Sequence, residues 1–327
     1  METVGIDGIG FRVSRIGLGT WAIGGWMWGG SSDQESMATI DVALDRGINL
    51  IDTAPAYGQG HSEEVIGLAL ERNGRRDEVI LATKVGLDWD AAGTPRRSST
   101  RAAILRGAEE SLRRLRTDRI DLLQIHWPDP RVPVEETARA MSDLLRDGKI
   151  RAIGVSNFTA ALMDAFREVA PLHAVQPPYN LFEREAERFV LPYAGRYGIP
   201  TLTYGVLCRG LLSGRMRADT TFAKGDLRTF DPKFRPPRYA QYLRAVEGLR
   251  AWASARGKSV LQLAVRWVLD QPNVGVALWG ARRPNQLDDV GGVMGWHLTR
   301  QDCLEIERIV NDAVREPVGP EFMAPQA

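Results

Sequence analysis

The chain has 327 residues, 44% of them hydrophobic and 25% charged, with 42 lysines and arginines against 41 aspartates and glutamates, for a net charge of +1. That length allows roughly two domains of about 150 residues or one large α/β barrel, and the composition excludes disorder, collagen-like repeats and a coiled-coil rod. The balanced charge carries none of the basic excess of a general nucleic-acid binder, and no apolar stretch approaches the roughly 18 residues of a membrane span.

The N-terminus lacks the basic-then-apolar pattern of a secretory signal. Two cysteines, Cys208 and Cys303, are too few for a disulfide framework. One bridge or two free thiols both fit that count. Reduced thiols in a cytoplasmic protein are the expectation.

In chain order, a lead-in at 1–14 precedes a β-like run at 15–19. Ser32 and Glu35 make a capping box that predicts a helix over 33–44, with Gly47 as its stop. Short apolar runs recur at 48–51, 79–85, 121–127, 151–155, 174–176, 200–204 and 274–279, with amphipathic segments between them. Pro133 suits the first position of one helix and Gly148 its end. Val260, Ala264, Trp267 and Val268 form one apolar helical face. About eight strand-then-helix units imply a parallel sheet buried on both faces. The predicted fold is therefore α/β: a single-domain (β/α)8 TIM barrel over 1–327 with an N-terminal lead-in, a long loop at 209–237 and a C-terminal tail. That loop carries Gly210, Gly214, Pro232, Pro236 and Pro237, and its length marks it as functional or mobile.

In such a barrel the chemistry sits at the C-terminal ends of the strands. The polar residues that end the apolar runs are Asp52, Lys84, His126, Ser156 with Asn157, Gln176 and Tyr204, and Tyr57 follows in the loop after Asp52. Singly each has a plain structural reading: an Asp52–Lys84 ion pair, a hydrogen-bonded His126, a loop aromatic at Tyr57. Together they place an aspartate, a lysine, a histidine and a tyrosine at one rim. A free tyrosine, with a pKa near 10, is a poor acid at neutral pH. A nearby ammonium is expected to lower that value, a neutral histidine to hydrogen-bond the phenol, and a carboxylate to orient the lysine. Such a group can protonate the developing alkoxide of a carbonyl reduction. No side chain donates hydride, so a nicotinamide cofactor is implied.

Two motifs are set aside. Gly17-Leu18-Gly19-Thr20-Trp21-Ala22 fits a loose dinucleotide fingerprint, but Gly24, Gly25, Gly29 and Gly30 follow where a helix should start. Gly257-Lys258-Ser259 resembles the end of a P-loop but reads as a helix boundary, with Trp252 in the place of the first glycine. His61, His126, His173 and His297 lack metal-ligand spacing, so no metal is expected. Trp279-Gly280-Ala281-Arg282-Arg283-Pro284 ends the last strand and is predicted to open a helix, whose N-terminus and two arginines suit phosphate.

Several segments then resemble the aldo-keto reductase superfamily: Asp52-Thr53-Ala54-Pro55-Ala56-Tyr57-Gly58, Thr83-Lys84, Gln124-Ile125-His126-Trp127-Pro128, Gly154-Val155-Ser156-Asn157-Phe158 and Gln176-Pro177-Pro178-Tyr179-Asn180. Their order covers the chain from about Ile16 to Asp289. Trp21-Ala22-Ile23-Gly24-Gly25-Trp26 and Leu207-Cys208-Arg209-Gly210-Leu211-Leu212 resemble its bacterial general-stress and inositol-associated branch. The resemblance implies that Tyr57 is the proton donor, tuned by Lys84 and His126, with Asp52 pairing Lys84. It implies cofactor contacts at Thr20, Trp21 and Asp52. Ser156, Asn157 and Gln176 would hold the nicotinamide carboxamide, and Tyr204 would stack on its ring. Gly205, Leu207, Arg209, Gly210 and Leu212, with Arg215 and Arg228, would fold over the pyrophosphate. Gly280, Ala281, Arg282 and Gln286 would take the 2′-phosphate, favouring NADPH over NADH. Asp289 would contact adenine. Val290 stands where many members carry asparagine, which leaves one adenine contact in question.

Trp21, Trp26, Trp28 and Trp127 are expected to wall a pocket for a small-molecule carbonyl, with Phe322 and Met323 closing it. Neither a nucleic acid nor a membrane is an expected partner, and no protein partner is readable. Two other functions share parts of this pattern. One is a redox-sensing protein that binds the cofactor with little turnover. The other is a barrel hydrolase with paired carboxylates, for which Asp52 is the one clear strand-end acid.

Overall fold

The computed structural model describes residues 1–90 and 93–326. Eight parallel strands form its centre: β1 (Ile16–Gly19), β2 (Leu50–Asp52), β3 (Ile80–Val85), β4 (Ile120–Ile125), β5 (Ile150–Ser156), β6 (Ala174–Gln176), β7 (Leu202–Thr203) and β8 (Val276–Gly280). Neighbours in the chain pair from β1 to β6, β7 pairs with β8, and β8 returns to β1. Bridges between Val175 and Thr201 and between Pro178 and Tyr204 join β6 to β7 and close the barrel.

Helices α1 (Asp33–Asp45), α2 (His61–Asn73), α3 (Arg101–Arg114), α4 (Val134–Arg146), α5 (Ala160–Arg167) and α6 (Val190–Tyr197) each follow one strand. Both α7 (Arg238–Ser254) and α8 (Val260–Asp270) lie between β7 and β8, and α9 (Arg300–Ala313) comes last. No described helix is long and apolar enough to cross a membrane.

Side chains alternate across each strand, so one row faces the barrel interior and the other the helices. In β4, Leu123 and Ile125 join the outer core while Leu122 joins the inner one. Asp121 is buried at the start of this strand because Arg76 and Arg151 pair with it at 2.9 and 3.1 Å. The inner rows share a gradient. Leu50, Ile80, Leu122, Ala174 and Leu202 fill the lower barrel, and two or four residues on, the same rows end in Asp52, Lys84, Gln124, Gln176 and Tyr204. The interior is thus greasy below and polar at its C-terminal mouth. The lead-in plugs the lower end: Thr3–Val4 pairs with Val13–Ser14, and Ile6, Ile9 and Val13 pack into the inner core.

Several local expectations change. The capping box at α1 is half formed: Ser32 accepts from the Glu35 N–H at 3.4 Å, but the Glu35 carboxylate pairs with Arg283. Pro133 is the cap of α4 rather than its first residue. The segment after β8 forms two 3₁₀ turns, Pro284–Leu287 and Val290–Val293, and no α-helix. A phosphate there would meet arginine side chains without a helix dipole. The long loop is anchored, since Leu227, Asp231, Lys233 and Phe234 are all buried. Ser259 caps α8, as the boundary reading of Gly257-Lys258-Ser259 expects. Cys208 and Cys303 are free thiols.

Candidate active site

The strand-end residues meet at the barrel mouth. The Lys84 ammonium donates to Asp52 Oδ2 at 2.7 Å, to the Thr53 carbonyl at 2.9 Å and to the Tyr57 hydroxyl at 3.2 Å. An ammonium has three donors, so all are assigned, and the third points at the phenol oxygen. The other carboxylate oxygen of Asp52 accepts from Gln176 Nε2 at 2.8 Å and Gln124 Nε2 at 3.1 Å. Asp52 is thereby fixed from both sides. Gln124 is a site residue the sequence reading passed over. Its place two residues before His126 on an inward row was the available signal.

Burial works against the Lys84 charge, but Asp52 and Tyr57 outweigh it and raise the pKa. Tyr57 departs from expectation. Burial pushes its pKa up, the pull of Lys84 is smaller, and Asp52 adds to the rise. The phenol therefore keeps its proton at neutral pH. The Tyr57 oxygen accepts from Lys84, and its own O–H donates to no described residue. Tyr57 is among the residues that line the open cleft.

His126 is neutral, because burial and the nearby Lys84 charge hold its pKa well below 6.5. The expected hydrogen bond to the phenol is not formed among the described residues. Instead the His126 and Tyr57 rings meet edge to face at 6.1 Å. Trp21 stacks on Tyr57 at 6.0 Å. The Tyr57 backbone rests on Gly24, where a Cβ would lie 2.4 Å from the Tyr57 carbonyl carbon and oxygen. Only glycine permits that approach.

Ser156, Asn157, Gln176 and Tyr204 form a linked network beside this centre. The Asn157 amide donates to the His126 carbonyl and to Ser156 Oγ at 3.0 Å each, and Asn157 Oδ1 accepts from the Tyr204 hydroxyl at 2.9 Å. Ser156 donates to the Gln176 carbonyl at 2.9 Å.

From Asp52 and Tyr57 a cleft of about 440 Å³ runs along Tyr204, Gly205 and Leu207 to Gly280, Ala281, Arg282 and Gln286. Thr20, Trp21, Trp28, Arg209, Gly210, Arg215 and Arg228 also line it. Its volume is that of a small-molecule site. A Cβ added at Gly280 would meet nothing within 4 Å, so the floor is open there. At this far end the Arg282 charge is disfavoured first by burial, then by Arg283 and Arg228. Arg282 donates to the carbonyls of Trp28 and Gly30, while Arg228 pairs with Asp226 at 2.6 Å and lies over the Phe222 and Trp28 rings. The Gln286 side chain accepts from the Arg282 and Arg283 amides at 2.9 and 3.0 Å. The Arg215, Arg228 and Arg282 side chains and the open floor fit an anionic nucleotide.

Some expected residues lie elsewhere. Leu212 is fully buried in the core. Asp289 accepts from Ser259 and Gln262 at the start of α8. Trp26 is 43% exposed, and Trp127 faces a second hollow rather than the cleft. Arg209 commits its guanidinium to Glu183 and Asp231. Met323, from the tail, does reach the cleft. The described residues contain no cluster of three or more His, Cys, Asp or Glu placed to hold a metal.

Comparison with known proteins gives a consistent picture. The family model described as the aldo/keto reductase family matches residues 15–311. A curated relative, aldo-keto reductase YhdN of Bacillus subtilis, is 57% identical over 326 residues, covering 99% of this chain and 98% of the relative. A glycerol dehydrogenase structure from Gluconobacter oxydans superposes with a TM-score of 0.89 at 52% identity, covering 98% and 99% of the two chains. An aldo/keto reductase from Klebsiella pneumoniae, solved with NADP and acetate, superposes with a TM-score of 0.71 at 28% identity, covering 96% and 97%.

Proposed function

The chain belongs to the aldo/keto reductase family, and from that footing we propose that Tyr57 is the proton donor of its NADPH-dependent reduction of aldehydes or ketones to alcohols. The observation that carries the assignment is Tyr57 on the cleft lining, with Lys84 donating to its phenol oxygen and no described residue accepting from its O–H. When bound, NADPH supplies the hydride for the carbonyl carbon. Tyr57 supplies the proton for the carbonyl oxygen. The phenolate this leaves is stabilised by the Lys84 ammonium, already in hydrogen-bond reach. Asp52 keeps Lys84 charged and pointed. His126, neutral and edge-on, fixes the phenol ring and adds no competing charge.

Arg282 and Gln286 support the choice of NADPH. Burial and neighbouring arginines disfavour the Arg282 charge, and a phosphate beside it would relieve that strain. In this reading Ser156, Asn157 and Gln176 would hold the nicotinamide amide, and Tyr204, which lines the cleft, would offer an aromatic face. Trp21 and Trp28 are the pocket aromatics this reading retains. The similar Gluconobacter structure is named as a glycerol dehydrogenase, so small polyhydroxy aldehydes and ketones are the first substrates to try. The free thiols fit a cytoplasmic setting.

Loss of reduced-nicotinamide absorbance over a panel of aldehydes, ketones and keto-sugars tests this reading. Turnover with NADPH preferred over NADH is expected. Tight NADPH binding with no turnover on any carbonyl would contradict it.

A further inference from the structure

The cleft wall at Leu207–Gly210 contains a buried cluster that the chemistry above does not use. Glu183, Arg209, Asp231 and Lys233 are each at most 6% exposed. Arg209 Nη1 lies 3.2 Å from Glu183 Oε2, and its Nε lies 2.8 Å from Asp231 Oδ2. Lys233 Nζ lies 2.7 Å from Glu183 Oε1 and 3.6 Å from Asp231 Oδ1. The two acids and two bases come from three separate segments. Two further contacts extend the set: Lys233 donates to the Gly319 carbonyl of the tail at 3.0 Å, and Asn180 donates to Glu183 at 2.7 Å and to the Gly205 carbonyl at 3.0 Å.

The backbone at this point is unusual. Cys208, Arg209 and Gly210 have φ of 46°, 53° and 92° in succession. Two consecutive non-glycine residues in the left-handed region persist only where the surroundings dictate it. A buried ion cluster adds little net stability, because desolvation offsets attraction. What it does supply is direction, since separating any member leaves a buried charge unpaired.

We propose that Glu183, Arg209, Asp231 and Lys233 form a latch that holds the left-handed turn at 208–210 along the cleft and ties it to the C-terminal tail. They are positioning residues for cofactor retention. This rests on the NADPH reading above.

The test uses the full chain with Asp231→Asn and Lys233→Met. NADPH release is followed by stopped-flow fluorescence, and amide exchange across 205–217 is followed in NADPH-free protein. Release faster by at least about tenfold and faster exchange across 205–217 are expected, with single-turnover reduction at saturating NADPH within about twofold of wild type. Folded variants with wild-type release and exchange would overturn the latch. If Lys233→Met does not fold, the isosteric Asp231→Asn decides. Failure of both to fold would make the cluster a requirement of the fold itself and would equally overturn it. A wild-type chain that binds no NADPH would instead sink the parent reading, and exchange would still report on the turn.

Discussion

Lys84 has no spare donor: each N–H is committed, and one of them is committed to the phenol oxygen of Tyr57. The Tyr57 pKa is raised, so the protonated form needed for reduction persists through neutral pH. Reduction should therefore stay level through neutral pH and fall only as the phenol ionises, above its ordinary value near 10. Alcohol oxidation needs the phenolate and should rise with pH over the same range. His126 is held neutral well below pH 6.5, so neither profile should bend there. An inflection near 6.5 in kcat would show that His126 titrates in the active form. Lys84→Met should lower kcat by about 10²–10⁴-fold. It should also destabilise the fold by about 3–5 kcal/mol in urea titrations, because Asp52 would remain buried without its cation. Adding Asp52→Asn should recover much of that stability and none of the rate.

At the scale of elements, the inward rows carry the design. A strand such as β3 places Ile80 and Ala82 in the inner core and Lys84 at the mouth by simple alternation. That pattern is legible in the sequence, and it is why Asp52, Lys84, His126, Gln176 and Tyr204 can be found from strand ends alone. Turns are less legible. The segment after β8 carries proline and arginines that suit a helix start, yet Gln286 caps the Arg282 and Arg283 amides and closes a 3₁₀ turn. The sign of the Tyr57 shift was also hidden, because it depends on burial that only packing reveals. Close approach is equally invisible: nothing in the sequence says that Gly24 underlies Tyr57. Gly24→Ala forces a Cβ to within 2.4 Å of that backbone carbonyl. It should cost about 1–3 kcal/mol in stability and lower kcat with little change in the NADPH KM.

For the whole molecule, division of labour follows the barrel axis. The hairpin at 3–14 and the inner core close the lower end, while the polar mouth and its loops carry the cleft. The architecture is legible because eight apolar runs alternate with helices. The charge cluster is not, because Glu183 and Arg209 stand 26 residues apart in loops with no periodic signal. At the far end of the cleft, Arg282→Ala should raise the NADPH KM by at least about tenfold and leave the NADH KM nearly unchanged, since a charge-assisted hydrogen bond contributes about 1.5–3 kcal/mol. Equal effects on both cofactors would place the 2′-phosphate elsewhere. The most direct measurement concerns Tyr57→Phe, which deletes one oxygen and keeps the ring stacked on Trp21. Measured beside wild type on the best carbonyl from the panel, it should lose about 10²–10⁴-fold in kcat while its NADPH Kd stays within about twofold. A folded Tyr57→Phe chain that turns over at the wild-type rate would contradict Tyr57 as the proton donor.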